Sequence, residues 1–242
     1  MSHVIAGEAV SGRAGEAFVN RSLIDGSSLG QVASGEAADI DMAARAATEA
    51  FGVWGAMPGT ERRRVRHCVA DLIEQRAHQM AITESVDTGQ TIRFMTAAAQ
   101  RGAENFRFFA DRAPSAADGV ALLAAHHVNY TTRHPIGPVE VITRWNTPFL
   151  LSTWKITATR ATGCAVVRKP AEWSPLTTHL LAEIALDAGL PAGGLNVVHG
   201  RGETAGRSLA EHPAIKAIGF VGDSSGGDLW AGIGRDRVRG RS

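Results

Sequence analysis

The chain has 242 residues, 44% of them hydrophobic, with a formal net charge of +1 at pH 7. That length accommodates one large domain or two small ones around a real core, and the near-neutral balance excludes a general nucleic-acid binder, which needs a strongly basic face. No run approaches the ~18 to 20 apolar residues of a membrane span, and the opening MSHVIAGEAVSGRAGEAF lacks the basic and apolar regions of a secretory signal, so a cytoplasmic protein with no membrane partner is expected.

After an irregular start, Asp39 or Asp41 is placed to cap a helix running through Met42, Ala43, Ala46, Ala47, Ala50 and Phe51 toward Trp54. A second helix is read from Glu61 to Glu84. Its apolar residues Val65, Cys68, Val69, Leu72, Ile73, Ala77 and Met80 recur at three- and four-residue steps opposite Arg62, Arg66, Glu74 and His78, which puts Cys68 on a core face. A third helix spans Thr91 to about Ala110, interrupted by Gly102. From Ala121 the β-branched residues around the Pro135-Ile136-Gly137-Pro138 breaker read as an extended hairpin leading into a strand at Val139 to Thr143.

Strands and helices then alternate. A helix beginning near Pro148 leads to a strand at Cys164 to Arg168, and Ser174-Pro175 is an N-cap with proline at the first helical position. That helix turns Leu176, Leu180, Leu181, Ile184 and Ala185 inward and stops at Gly189; a strand at Leu195 to Val198, a short helix near Thr204 to Ala210 and a strand at Ile215 to Phe220 follow. Four short apolar strands separated by helices imply a parallel sheet with right-handed crossovers, whose ligands lie at the carboxyl ends of the strands. The chemistry is therefore expected near Asn146, Lys169, Gly200 and Gly222.

The last eight residues carry a net charge of +3 and read as an irregular, solvated Arg-rich tail rather than an RNA-binding arm. Only Cys68 and Cys164 are present, far apart, so neither a disulfide framework nor a CxxC metal site is suggested; the nine histidines form no metal-spaced cluster, and no metal is expected.

The segments ESVDTGQTIR (84–93), WNTPFLLSTWKI (145–156), GCAVVRKPAEWSP (163–175) and HPAIKAIGFVGDSSGG (212–227), in this order, resemble the aldehyde dehydrogenase superfamily and are most similar to its 5-carboxymethyl-2-hydroxymuconate semialdehyde dehydrogenases, enzymes of aromatic catabolism. The resemblance covers residues 19 to 227 and implies an α/β fold: a helical amino-terminal part (1–120), an oligomerisation-type β-hairpin (121–137), an incomplete Rossmann-like NAD-binding sheet (138–227) and the tail (228–242). It implies that the carboxy-terminal catalytic domain is missing, as after a frameshift or premature end.

In such enzymes a cysteine thiolate attacks the aldehyde, and an asparagine amide with a backbone N–H holds the tetrahedral oxyanion. Asn146 matches that asparagine; read alone, it bonds the turn before Pro148. Lys169 and Glu172 match the pair that grips the adenosine ribose, and a carboxylate there favours NAD over NADP. Thr143 and Trp145 match positions beside the nicotinamide, though Trp145 also reads as a packed aromatic. Lys155 matches a proton-relay lysine or pairs with a nearby carboxylate.

Gly202, Gly206 and Gly222, with Gly200, supply tight turns where a cofactor approaches the backbone. Asp223 stands where the family commonly has serine near the pyrophosphate, so it either points away or weakens cofactor binding. Arg144 replaces a usual proline and loosens the backbone before Asn146. The family's Glu-Leu-Gly-Gly base motif and its nucleophilic cysteine have no counterpart in the sequence, and neither thiol is expected to be catalytic.

The resulting expectation is a truncated NAD-dependent semialdehyde dehydrogenase, inactive alone, with a small aldehyde as substrate of the complete enzyme. Its rivals are a non-catalytic NAD-binding module that pairs through the hairpin into a homo- or hetero-oligomer, and a decayed gene product.

Overall fold

A computed structural model describes residues 1–115, 123–124, 126–128 and 132–239. The start is not irregular. Strands β1 (His3–Ile5) and β2 (Glu8–Val10) form an antiparallel hairpin, and β3 (Ala17–Arg21) with β4 (Ser28–Ala33) forms a second. Helix α1 (Ala37–Ala56) follows. Its N-cap is Glu36 rather than Asp39 or Asp41; Asp39 sits inside the first turn, where its carboxylate accepts the Glu36 N–H at 3.0 Å and the Arg13 N–H at 3.1 Å.

The expected second helix is two helices, α2 (Gly59–Gln75) and α3 (Ala77–Thr88), separated at Arg76. Cys68 is exposed and Arg66 is buried, the reverse of the expected faces. Helix α4 (Ile92–Arg112) runs through Gly102 without interruption. That glycine is a contact point: a Cβ there would lie 2.3 Å from the ring of Phe149 on the helix packed against it. A short 3₁₀ turn (Ala113–Ser115) ends this part. Of the expected hairpin, β5 (Leu123–Ala124) and β6 (His127–Val128) pair antiparallel; residues 121–122, 125 and 129–131 lie outside the described residues.

Next come β7 (Pro138–Ile142), α5 (Pro148–Ala161), β8 (Ala165–Lys169), α6 (Leu176–Asp187) and β9 (Leu195–Val197). A π-helical turn (Gly202–Gly206) runs into α7 (Arg207–Glu211), followed by β10 (Ala217–Phe220) and α8 (Ser224–Arg239). Residues 228–239, expected to be irregular, therefore continue a helix. The N-cap of α6 is Pro175, not Ser174, whose hydroxyl instead donates to the Trp145 carbonyl at 2.8 Å.

The main sheet has the order β10-β7-β8-β9-β1-β2. Its β10-β7-β8-β9 part is parallel, as the alternation implies, but β1 pairs antiparallel with β9 at Val4 and Val197, so the sheet is mixed. Successive strand residues face opposite sides. Val166 joins Trp54, Val69, Ile73, Phe106, Phe149, Ile156 and Leu181 on one face, and Val167 joins Ile40, Ala43, Ala47 and Leu209 on the other. Among the described residues, no helix is long and apolar enough to cross a membrane.

Candidate functional site

The carboxyl ends of β7, β8 and β10 open into a cleft of about 290 Å³. It gathers Thr143, Trp145, Lys169, Glu172, Gly202, Gly222 and Asp223 from four separate loops, together with Arg144, Phe220 and Trp230. Three sequence candidates lie elsewhere. Asn146 and Lys155 are outside this lining, and Gly206 packs under the indole of Trp230, 3.5 Å from where its Cβ would be.

Lys169 is the last residue of β8, and the turn after it brings Glu172 back over the strand end. Glu172 Oε1 lies 3.1 Å from Lys169 Nζ and accepts the Gly202 N–H at 2.6 Å. The lysine side chain is 4% exposed and the glutamate 32%. Burial lowers the Lys169 pKa against the opposing pull of Glu172. For Glu172 burial works to raise the pKa, but the Lys169 charge and the hydrogen bonds outweigh it, leaving the carboxyl below its ordinary value and ionised at neutral pH. A buried cation beside an acceptor-only carboxylate is a matched set for vicinal hydroxyls.

Beneath the cleft, the fully buried Arg168 donates to the Thr143 hydroxyl and to the carbonyls of Val141 (3.1 Å) and Lys169 (2.8 Å). Thr143 is thereby fixed as floor. Two buried acids from α3 complete the support. Glu84 accepts the Phe149 N–H at 3.1 and 3.3 Å, at the start of α5, and Asp87 accepts the Leu176 N–H at 2.8 Å, at the start of α6. Burial raises Glu84 to about 8 and Asp87 to about 6. Both acids were missed in the sequence. The signal was there: two carboxylates three residues apart on one helix face, beside buried Ala81 and Thr88.

At the opposite wall, Asp223 caps α8. Its Oδ1 accepts the Gly226 N–H at 2.6 Å, so a carboxylate already occupies the positive end of that helix. Phe220 folds over the same turn: a Cβ on Gly222 would lie 2.1 Å from its ring, which is why that position has no side chain.

Asn146 follows Trp145 at the start of the α5 loop. Its Oδ1 is buried and without a hydrogen-bond partner. Lys155 lies on α5 with its stem over Gly219 of β10, on the sheet face rather than in the cleft. Trp145 (36% exposed) lines the cleft, and its ring centroid is 6.1 Å from that of Trp173 (61% exposed), which lies outside the lining. Next to Asn146, Thr147 and Leu150 line a second groove with Phe94, Met95, Arg101 and Glu104. Neither thiol reaches either site: Cys68 is on the outer side of α2, and Cys164 lies before β8, at the other end of the sheet. Among the described residues no group of three His, Cys, Asp or Glu side chains is arranged to hold a metal ion.

Comparison with known proteins gives a consistent result. Residues 10–235 match the aldehyde dehydrogenase family. The chain is 37% identical over 228 residues to a 5-carboxymethyl-2-hydroxymuconate semialdehyde dehydrogenase of Escherichia coli, covering 94% of this chain and 48% of that relative. It is 39% identical to a 2-hydroxymuconic semialdehyde dehydrogenase of Pseudomonas sp. strain CF600, with the same coverage. In structure it is similar to HpcC from Thermus thermophilus (TM-score 0.94, 41% identity, 97% of this chain and 46% of that one). It is also similar to an NAD⁺ complex of an aldehyde dehydrogenase from Bacillus cereus (TM-score 0.94, 32% identity, 98% and 49%). The chain thus spans about half the length of the relatives it matches.

Proposed function

The chain belongs to the aldehyde dehydrogenase family, and from that premise we propose that it is the nucleotide-binding half of a semialdehyde dehydrogenase, holding NAD in the cleft at the ends of β7, β8 and β10. The observation that carries this reading is the Lys169–Glu172–Gly202 arrangement. Lys169 and Glu172 take the adenosine ribose hydroxyls, and the Glu172 carboxylate repels a 2′-phosphate, so NAD is preferred to NADP. Thr143 and Trp145 lie on the nicotinamide side, and the open turn at Gly202 admits the cofactor to the backbone. When bound, NAD supplies a hydride acceptor.

The residues present fit this group at its nucleoside end. The turn at Gly202 is open, with nothing nearer to an added Cβ than Glu172 Oε1 at 3.9 Å. The side-chain N–H of Asn146 is the donor for an oxyanion developing on an aldehyde carbon, a contribution worth roughly 2.7 to 4 kcal/mol in such sites. Arg101, in the groove beside Thr147, offers a cation to the acid group of a semialdehyde.

The family reaction is aldehyde, NAD⁺ and water to carboxylic acid, NADH and a proton. No thiol lines the cleft among the described residues, so we propose that this chain alone binds nucleotide without turning over aldehyde, and that the β5–β6 pair joins it to another copy or to a longer relative. Calorimetric titration with NAD tests the reading. Saturable binding that Glu172→Ala weakens at least tenfold supports it; no binding to a folded sample, or equal binding by the variant, overturns it.

A further inference from the structure

Two buried histidines and a third, partly exposed one meet where the amino-terminal strand, the end of β9 and α6 come together. The rings of His3 and His199, 0% and 1% exposed, stack with centroids 5.9 Å apart, and His179 lies 6.4 Å from His199. The His199 backbone N–H donates to His3 Nδ1 at 3.2 Å, so a neutral His3 carries its proton on Nε2. His3 Nε2, both ring nitrogens of His199 and His179 Nδ1 are buried without hydrogen-bond partners. None of these groups lines the cleft.

Their surroundings leave little room for charge. Asp39 faces His3, Glu183 is 3.6 Å from His179 Nε2, and the Met1 amino group faces both His179 and His199. Burial lowers all three imidazole pKa values, His199 furthest, with His3 and His179 adding to its shift. The strand they hold buries Val4 and Ile5 in the core but has a short backbone seam with the main sheet. β1 meets β9 at the single register pair Val4 and Val197, beside the Ala6 N–H bond to Asn196 Oδ1 at 2.9 Å. The next loop has no slack: Gly35 donates to the His199 carbonyl at 2.8 Å, and a Cβ on Gly35 would lie 2.6 Å from the Val198 side chain. His199 is three residues before Gly202, whose N–H holds Glu172.

We propose that His3, His179 and His199 form a proton-operated latch: neutral rings seat β1 and the 200–202 turn together, and protonation releases both. An imidazolium at His199 meets two other imidazoles and the Met1 ammonium, against one backbone acceptor at Ser2, whereas in the opened chain it is fully hydrated. Below the ordinary imidazole pKa the open form therefore binds more protons, and acid favours it. The link to nucleotide rests on the function proposed above. The latch itself does not, and it is read without any nucleotide present.

The experiment is amide hydrogen exchange by mass spectrometry at pH 7.5 and 5.5, corrected for intrinsic rates. Protection in residues 1–12 and 195–203 is expected to fall at least tenfold at pH 5.5 while β7 and β8 keep theirs. In His199→Asn it should vary less than twofold with pH. Unchanged protection at pH 5.5, or the same acid response in the variant, overturns the proposal. If the variant does not fold, imidazole NMR of the wild type decides: rings that charge only as β1 loses protection support the latch, and rings that charge while β1 stays protected sink it.

Discussion

The carboxylate of Asp87 accepts the Leu176 N–H at 2.8 Å, so the last turn of α3 caps the first turn of α6 across 89 residues of sequence. Its other oxygen accepts the Asn20 side-chain amide at 2.7 Å. One buried carboxylate thus ties a β-hairpin and two helices together behind the cleft.

Removing it should be costly. Asp87→Ala leaves the Leu176 N–H and the Asn20 amide without partners, a loss of about 1 to 3 kcal/mol for each buried group left unsatisfied. The urea midpoint is expected to drop accordingly, with Asp87→Asn losing less. An unchanged midpoint in Asp87→Ala would remove Asp87 as a structural tie.

Glu84 gives a pH dependence of definite sign. Its folded pKa is raised to about 8, above the ordinary 4.5, so between those values the folded chain holds a proton that the unfolded chain has released. Stability from this group is full at low pH and falls as pH rises through that window. Between pH 6.5 and 8.5, above the range in which the histidines act, the loss is on the order of 2 kcal/mol. Glu84→Gln keeps an acceptor for the Phe149 N–H and should flatten the slope. Urea unfolding at the two pH values checks this, and equal slopes for wild type and variant would refute it.

Asp223 places a fixed negative charge at the α8 start, where a bound pyrophosphate would approach. Asp223→Asn retains the cap and removes the charge. NAD affinity is expected to rise a few-fold, ~0.5 to 1 kcal/mol. Asp223→Ala also loses the cap, at about 1 kcal/mol of helix stability. Calorimetry on both variants separates the two effects, and weaker binding by Asp223→Asn would show the carboxylate to be an asset.

Gly102→Ala should be destabilising although Ala is the better helix former. The new methyl meets the Phe149 ring at 2.3 and 2.6 Å, and overpacking of this kind costs about 1 to 3 kcal/mol. Thermal unfolding would show a lower midpoint; a raised midpoint would mean that α4 and α5 separate freely.

The parallel half of the sheet was legible because each strand is a short apolar run set between helices with clear ends. β1 and β2 were not. Three residues apiece give no alternation to read, and the partner of Val4 is Val197. Arg66 was misplaced because charge suggested a solvated face, whereas its guanidinium donates to the carbonyls of Phe109 (3.1 Å) and Ala110 (3.2 Å) near the end of α4. That contact also rotates α2 so that Cys68 faces outward. In the cleft, Lys169 and Glu172 were readable as one short motif. Glu84 and Asp87 were not, since their N–H partners lie 65 and 89 residues away.

The indole on the cleft wall gives the molecule a built-in reporter. Trp145 is solvent-facing beside Trp173, as Trp154 is on α5, whereas Trp54 is wholly enclosed, with the Arg160 guanidinium 4.2 Å over its ring. Emission from the exposed indoles therefore lies to the red of that from Trp54, and a planar ligand seated beside Trp145 and Trp230 is expected to quench part of the native fluorescence, with Trp145→Phe identifying the share that reports occupancy.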